Sequence, residues 1–126
     1  MFIMENSDKL IHFNSRDALV RVPVSKIVYF EADGNYTYIV TSYKQKACLC
    51  MNLAHTEQAL AAQLGEQARG FMRIGKSVIV NMRYIYQIDV PKQQLILSNF
   101  EHFTYAVPVS KEALKSVKDL VIKARI

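Results

Sequence analysis

The sequence predicts a mainly β domain of antiparallel strands with two short helices. Three observations predict it. Short β-branched and aromatic runs, bounded by Gly, Pro, Asn, Asp and Ser, recur along most of the chain, as half-buried strands between turns do. The apolar period changes to helical spacing after Asn52 and again after Ser110. No repeat and no linker-like stretch interrupts the 126 residues, a length that suits one domain, 1–126, with its own core.

Taken in order, residues 9–13 form a short apolar strand, and the polar stretch 14–17 turns into a second strand at 19–22. Pro23 cannot donate to a ladder, so it marks an edge or a bend. Residues 27–32 are β-branched and aromatic, a buried strand. Asp33, Gly34 and Asn35 make a hairpin turn in which Gly34 takes positive φ, and 36–41 returns as the next strand. A turn at Ser42 and Tyr43 leads to its partner at 44–51. Leu53, Glu57, Leu60, Ala61 and Leu64 fall on helical spacing, with Asn52 as N-cap and Gly65 at the C-terminal end. Strands resume at 78–80, 84–88, 94–97 and 103–107, the last two separated by Ser98 and Asn99. Ser110 caps a final helix with Leu114, Val117 and Val121 on its apolar face.

Composition excludes several classes. The chain is 51% hydrophobic and 21% charged, the balance of a folded domain rather than a disordered one. No window approaches the run of about 20 apolar residues that a membrane helix needs. Residues 1–8 lack a basic stretch followed by an apolar run, so no signal peptide is expected and the expected location is cytoplasmic. The net charge of +5 permits binding to nucleic acid or an anionic membrane. The C-terminal stretch concentrates it, with Lys111, Lys115, Lys118, Lys123 and Arg125 against Glu112 and Asp119, although such a run also suits a solvated helix face. Cys48 and Cys50 read as small side chains on a sheet face, since a stable zinc site wants four ligands. His12, His55 and His102 are scattered, and His12 and His102 suit strand surfaces. No catalytic residue, metal, cofactor or small-molecule substrate is expected.

One motif points elsewhere. Gly70 to Ser77 spells GFMRIGKS, which fits the phosphate-loop pattern G-x-x-x-x-G-K-[ST]. That loop works between a strand and a helix N-terminus, where backbone N–H groups and the helix dipole hold phosphate. Here a helix precedes it and the strand 78–80 follows, so a nucleotide site is not expected.

Three segments carry a resemblance. VSKIVYFEADGNY at 24–36 resembles the opening signature of the LytTR family of DNA-binding domains. FMRIGKSVIVN at 71–81, followed by Ile85, resembles its second signature, and VPVSK at 107–111 its third. They stand in the family's order over about 20–121. The resemblance implies an elongated arrangement of small antiparallel β-sheets with short helices. It also implies a bacterial transcription regulator that reads paired direct repeats in double-stranded DNA, with two loops in successive major grooves and a third region on the backbone between them.

Carried onto this chain, the first loop implies Asn35, Thr37 and Tyr38 as DNA-binding residues beside Tyr36, with Thr37 meeting a base or phosphate. The second implies Arg73, Lys76 and Ser77, with Asn81 as a neighbour and Lys76 as the base reader. The third implies Ser110 and Lys111 on a phosphate. Each also suits a structural role: Tyr36 in the core, Asn81 on buried backbone groups, Arg73 paired with a carboxylate such as Glu31. The chain departs from the family at Gly75 and Lys76, where His and Arg are frequent, and at Lys111, where Arg is. Lysine keeps the charge but loses bidentate geometry toward guanine, so phosphate binding is the safer expectation than base preference. The chain leaves no space for the receiver domain that often precedes this module. Control is then expected from expression level, a regulatory or membrane-bound protein partner, or the rest of a longer regulator, and a second copy on adjacent repeats is expected as a partner on DNA. A protein-interaction module with the same fold and weak DNA binding is the alternative.

Overall fold

The computed structural model describes residues 8–124. The expectations about the leader and Arg125 fall, wholly or in part, outside them. Among the described residues ten strands form three antiparallel sheets. β1 (Leu10–Asn14) and β2 (Leu19–Pro23) make a two-stranded hairpin. β3 (Ile27–Asp33), β4 (Tyr36–Thr41), β5 (Lys46–Leu49), β6 (Phe71–Ile74) and β7 (Val78–Asn81) make a five-stranded sheet in the order β5-β4-β3-β7-β6. β8 (Ile85–Asp89), β9 (Gln94–Ser98) and β10 (Thr104–Pro108) make a three-stranded sheet. α1 spans Leu53–Leu64 and α2 spans Lys111–Ala124. Among the described residues no helix is long and apolar enough to cross a membrane.

The five-stranded sheet is the middle layer. One face packs against the β1–β2 hairpin and α1, through Phe13, Phe30, Ile39, Leu49, Leu60 and Ile79. The other packs against the three-stranded sheet and α2, through Val28, Val80, Leu95, Leu97, Val107 and Leu114. Two covered faces explain why β7 reads as an unbroken VIV: Val78 and Val80 enter one core and Ile79 the other. In β3 a register shift between Ile27 and Tyr29 buries Ile27 and Phe30 on one side and Val28 on the other.

Most elements lie where the sequence puts them. Asn52 caps α1 by accepting from the His55 N–H, at 2.8 Å, and the helix ends at Gly65. Pro23 closes β2 ahead of a 3-10 turn, Val24–Lys26. The fifth strand shrinks from the predicted 44–51 to Lys46–Leu49, because Lys44 turns at φ 63 and Cys50 lies beyond the ladder. One element corrects the sequence reading: residues 71–74 form strand β6 and pair with β7, where no strand was expected before 78. Four residues are too few to show a period, and the phosphate-loop pattern overlies them.

Candidate nucleic-acid interface

Three connections meet at one end of the five-stranded sheet. β3 and β4 are joined by Gly34 and Asn35, with Asp33 opposite Tyr36. Gly34 has φ 62, and the first of two connecting residues is the place a type II′ hairpin gives to glycine. β6 and β7 are joined by Gly75, Lys76 and Ser77. The Ala32 N–H donates to the Ser77 carbonyl at 2.8 Å, which seats this turn beside the end of β3. Gly75 has φ 64, a conformation that strains any residue with a Cβ. The glycine that replaces a frequent histidine therefore meets a backbone requirement of the turn.

The third connection comes from the other layer. Ser110 caps α2, its hydroxyl accepting from the Ala113 N–H at 3.3 Å. Gly75, Lys76 and Ser77 line one side of a cleft of about 370 Å³, and Pro108, Val109 and Ser110 line the other. A second groove, about 600 Å³, runs on between β6 and α2. Asn35, Lys76, Ser77, Ser110 and Lys111 are all exposed at this end. A helix N-terminus thus faces the turn after all, supplied by α2 and not by the segment that follows Ser77.

Three expected residues sit differently. Thr37 is fully buried, on the same face of β4 as Ile39, and its hydroxyl has no hydrogen-bond partner. It has no surface to offer a base or phosphate, which corrects the expectation. Asn81 is 5% exposed, and its Nδ2 donates to the Ile27 carbonyl at 2.8 Å while its Oδ1 accepts from the Arg83 N–H at 3.3 Å. It ties the end of β7 to the start of β3, and its structural role replaces the DNA contact. Tyr38 is half-buried, with the Lys46 ammonium 4.6 Å from its ring centre. Lys46 also binds Glu31 at 2.8 Å, and that hydrogen bond holds its pKa above the ordinary lysine value.

Arg73 braces the turn. Its guanidinium lies 3.6 Å from Glu57 of α1 and donates to the Lys76 carbonyl at 3.4 Å. Its partner is Glu57; Glu31, the expected one, is taken by Lys46. Tyr36 corrects the sequence in the other direction: it is 52% exposed beside Asn35 instead of packed in the core. Its place as the first residue after the hairpin turn was the available signal. His12 is exposed on β1, as expected, whereas His102 is exposed in the bend before β10 and not on a strand. Cys48 and Cys50 are both exposed and free, and no group of three or more metal-binding side chains occurs among the described residues.

Comparison with known proteins settles the family. The model of the LytTr DNA-binding domain matches residues 17–122. The chain belongs to the LytTR family. A solved LytTr DNA-binding domain from Bacillus cereus is similar, with 25% identity and a TM-score of 0.59, covering 89% of this chain and 95% of that one. A comparison with curated proteins finds no match. Membership makes this LytTR chain a DNA-binding domain of transcription regulation, and the sheet-and-helix arrangement described above is the LytTr fold.

Proposed function

We propose that the chain binds double-stranded DNA sequence-specifically, through the exposed end of the five-stranded sheet, and regulates transcription from paired direct repeats. The observation that carries this reading is the meeting of two hairpin turns and the α2 N-terminus at one rim. Lys76 projects from the β6–β7 turn and takes the base-reading role in the major groove. Asn35 and Tyr36, on the neighbouring hairpin, enter the second groove. Ser77, Ser110, Lys111 and the amides at the start of α2 hold the phosphates between them. Arg73 keeps the Lys76 turn in shape.

Selection from a random double-stranded DNA library at near-physiological salt tests the reading. Enrichment of a repeat spaced by about one helical turn supports it. Weak binding with no enrichment favours a protein-interaction module instead. In the same assay Lys76→Ala should relax base preference, whereas Lys115→Ala, on the exposed face of α2, should weaken binding to all sequences alike. Lys111→Ala should lower the slope of log affinity against log salt by about 0.9, one phosphate contact.

A further inference from the structure

Away from the DNA-facing rim, two open strand edges flank one groove. Among the described residues β2 pairs with β1 alone and β5 ends the five-stranded sheet, so within them each has an unpaired edge. A groove of about 350 Å³ runs between them, lined continuously by residues 20–23 of β2 and 45–47 at β5. Its apolar lining is Val20, Val22, Ile39 and Ala47. Its charged residues are Arg21, Lys26 and Lys46, and among the described residues no carboxylate lines it. Lys46 is held by Glu31 and Lys26 lies 5.2 Å from the Tyr43 ring centre, which leaves Arg21 as the exposed cation without an ion pair among the described residues.

We propose that this groove docks an extended acidic segment of a partner protein, which adds as a strand to the open edge of β5 with β2 as the opposite wall. Backbone groups at an unpaired edge supply the hydrogen bonds, and alternate apolar side chains of the added strand enter the lining. The basic groove selects carboxylates on the outward positions. Continuous backbone edges beside partly buried Val20 and Ala47 suit a peptide, which hydrogen-bonds to an open strand edge, better than a phosphate backbone, which has no donor to give the edge carbonyls. The groove adjoins Thr41 and Tyr43, at the end of the sheet opposite Asn35 and Ser77, so peptide and DNA can be bound together.

The test is selection of a random ten-residue peptide library on phage against the full chain. Binders that survive on the Arg21→Glu, Lys26→Glu double variant are removed. The retained peptides should alternate acidic and apolar residues, and the best of them should bind the double variant roughly tenfold more weakly. Arg21→Lys should retain binding. Hydrogen exchange should slow at those amides of residues 45–47 that are not already given to β4. DNA affinity of the double variant should stay close to that of the native chain, which separates this proposal from the DNA-binding one. Circular dichroism establishes that the variant is folded. The proposal is overturned if no peptide depends on Arg21 and Lys26, if the retained peptides are basic or helical, or if the edge amides stay unprotected. It is equally overturned if a DNA duplex, and no peptide, protects them.

Discussion

Replacing Asn81 with alanine separates bracing from DNA contact. The side chain gives one hydrogen bond of 2.8 Å to the carbonyl of Ile27, a residue with 0% exposure, and receives one of 3.3 Å from Arg83. The first leaves a buried carbonyl short of a donor, at about 1–3 kcal/mol. The second is long and lies near the exposed Arg83, where water substitutes, so it adds about 0.5 kcal/mol or less. A loss of about 2 kcal/mol follows, or roughly 8 °C in Tm for a chain of this size. Urea denaturation should show an earlier midpoint with the slope unchanged. Below the transition, the variant should bind DNA with a salt dependence equal to that of the native protein. A variant as stable as the native chain that has lost DNA affinity would refute the bracing role and restore Asn81 as a DNA contact.

Thr37→Val removes a buried hydroxyl that has no partner, and should raise stability by about 1 kcal/mol with DNA affinity unchanged, read by thermal melting and gel shift. Leu114→Ala truncates a fully buried side chain that fixes α2 to the second core, and should cost about 2–5 kcal/mol. Because α2 carries Ser110 and Lys111, DNA affinity near the new transition should fall with it; full affinity after α2 has detached would exclude the helix from the interface. Burial raises the pKa of Tyr29, helped by the Glu31 charge, and burial also raises that of Tyr105. The folded state therefore keeps these protons to higher pH than the unfolded chain does. That stability is complete below the ordinary tyrosine value of 10.0 and is lost as pH rises through the raised values. Near-ultraviolet absorbance should show two late-titrating tyrosines and an alkaline fall in Tm, and Tyr105→Phe should remove one of them.

Most elements were legible because their causes are local. Asn52 and Ser110 cap helices through their own side chains, Gly34 supplies the positive φ of a two-residue connection, and the apolar period distinguishes α1 from the strands around it. β6 was illegible because four residues carry no period, and its strand state comes from pairing with β7. The rim residues were partly legible. Asn35, Lys76, Ser77, Ser110 and Lys111 stand on connections, where exposure follows from the turn. Thr37 and Asn81 stand in strands, where exposure depends on what lies across the sheet.

The order and type of nearly every element, the family, and the connections that carry the exposed polar groups are written in local sequence. Period, caps and turn residues act over a few positions and need no distant partner. Which face of each strand is covered is set by packing between elements. The hairpin β1–β2 and α1 bury Thr37, the register shift in β3 divides Ile27 from Val28, and the loops after β7 and before α2 decide the surroundings of Asn81 and Lys76. Those outcomes depend on contacts between residues distant in sequence, such as Asn81 with Ile27, which no local pattern encodes.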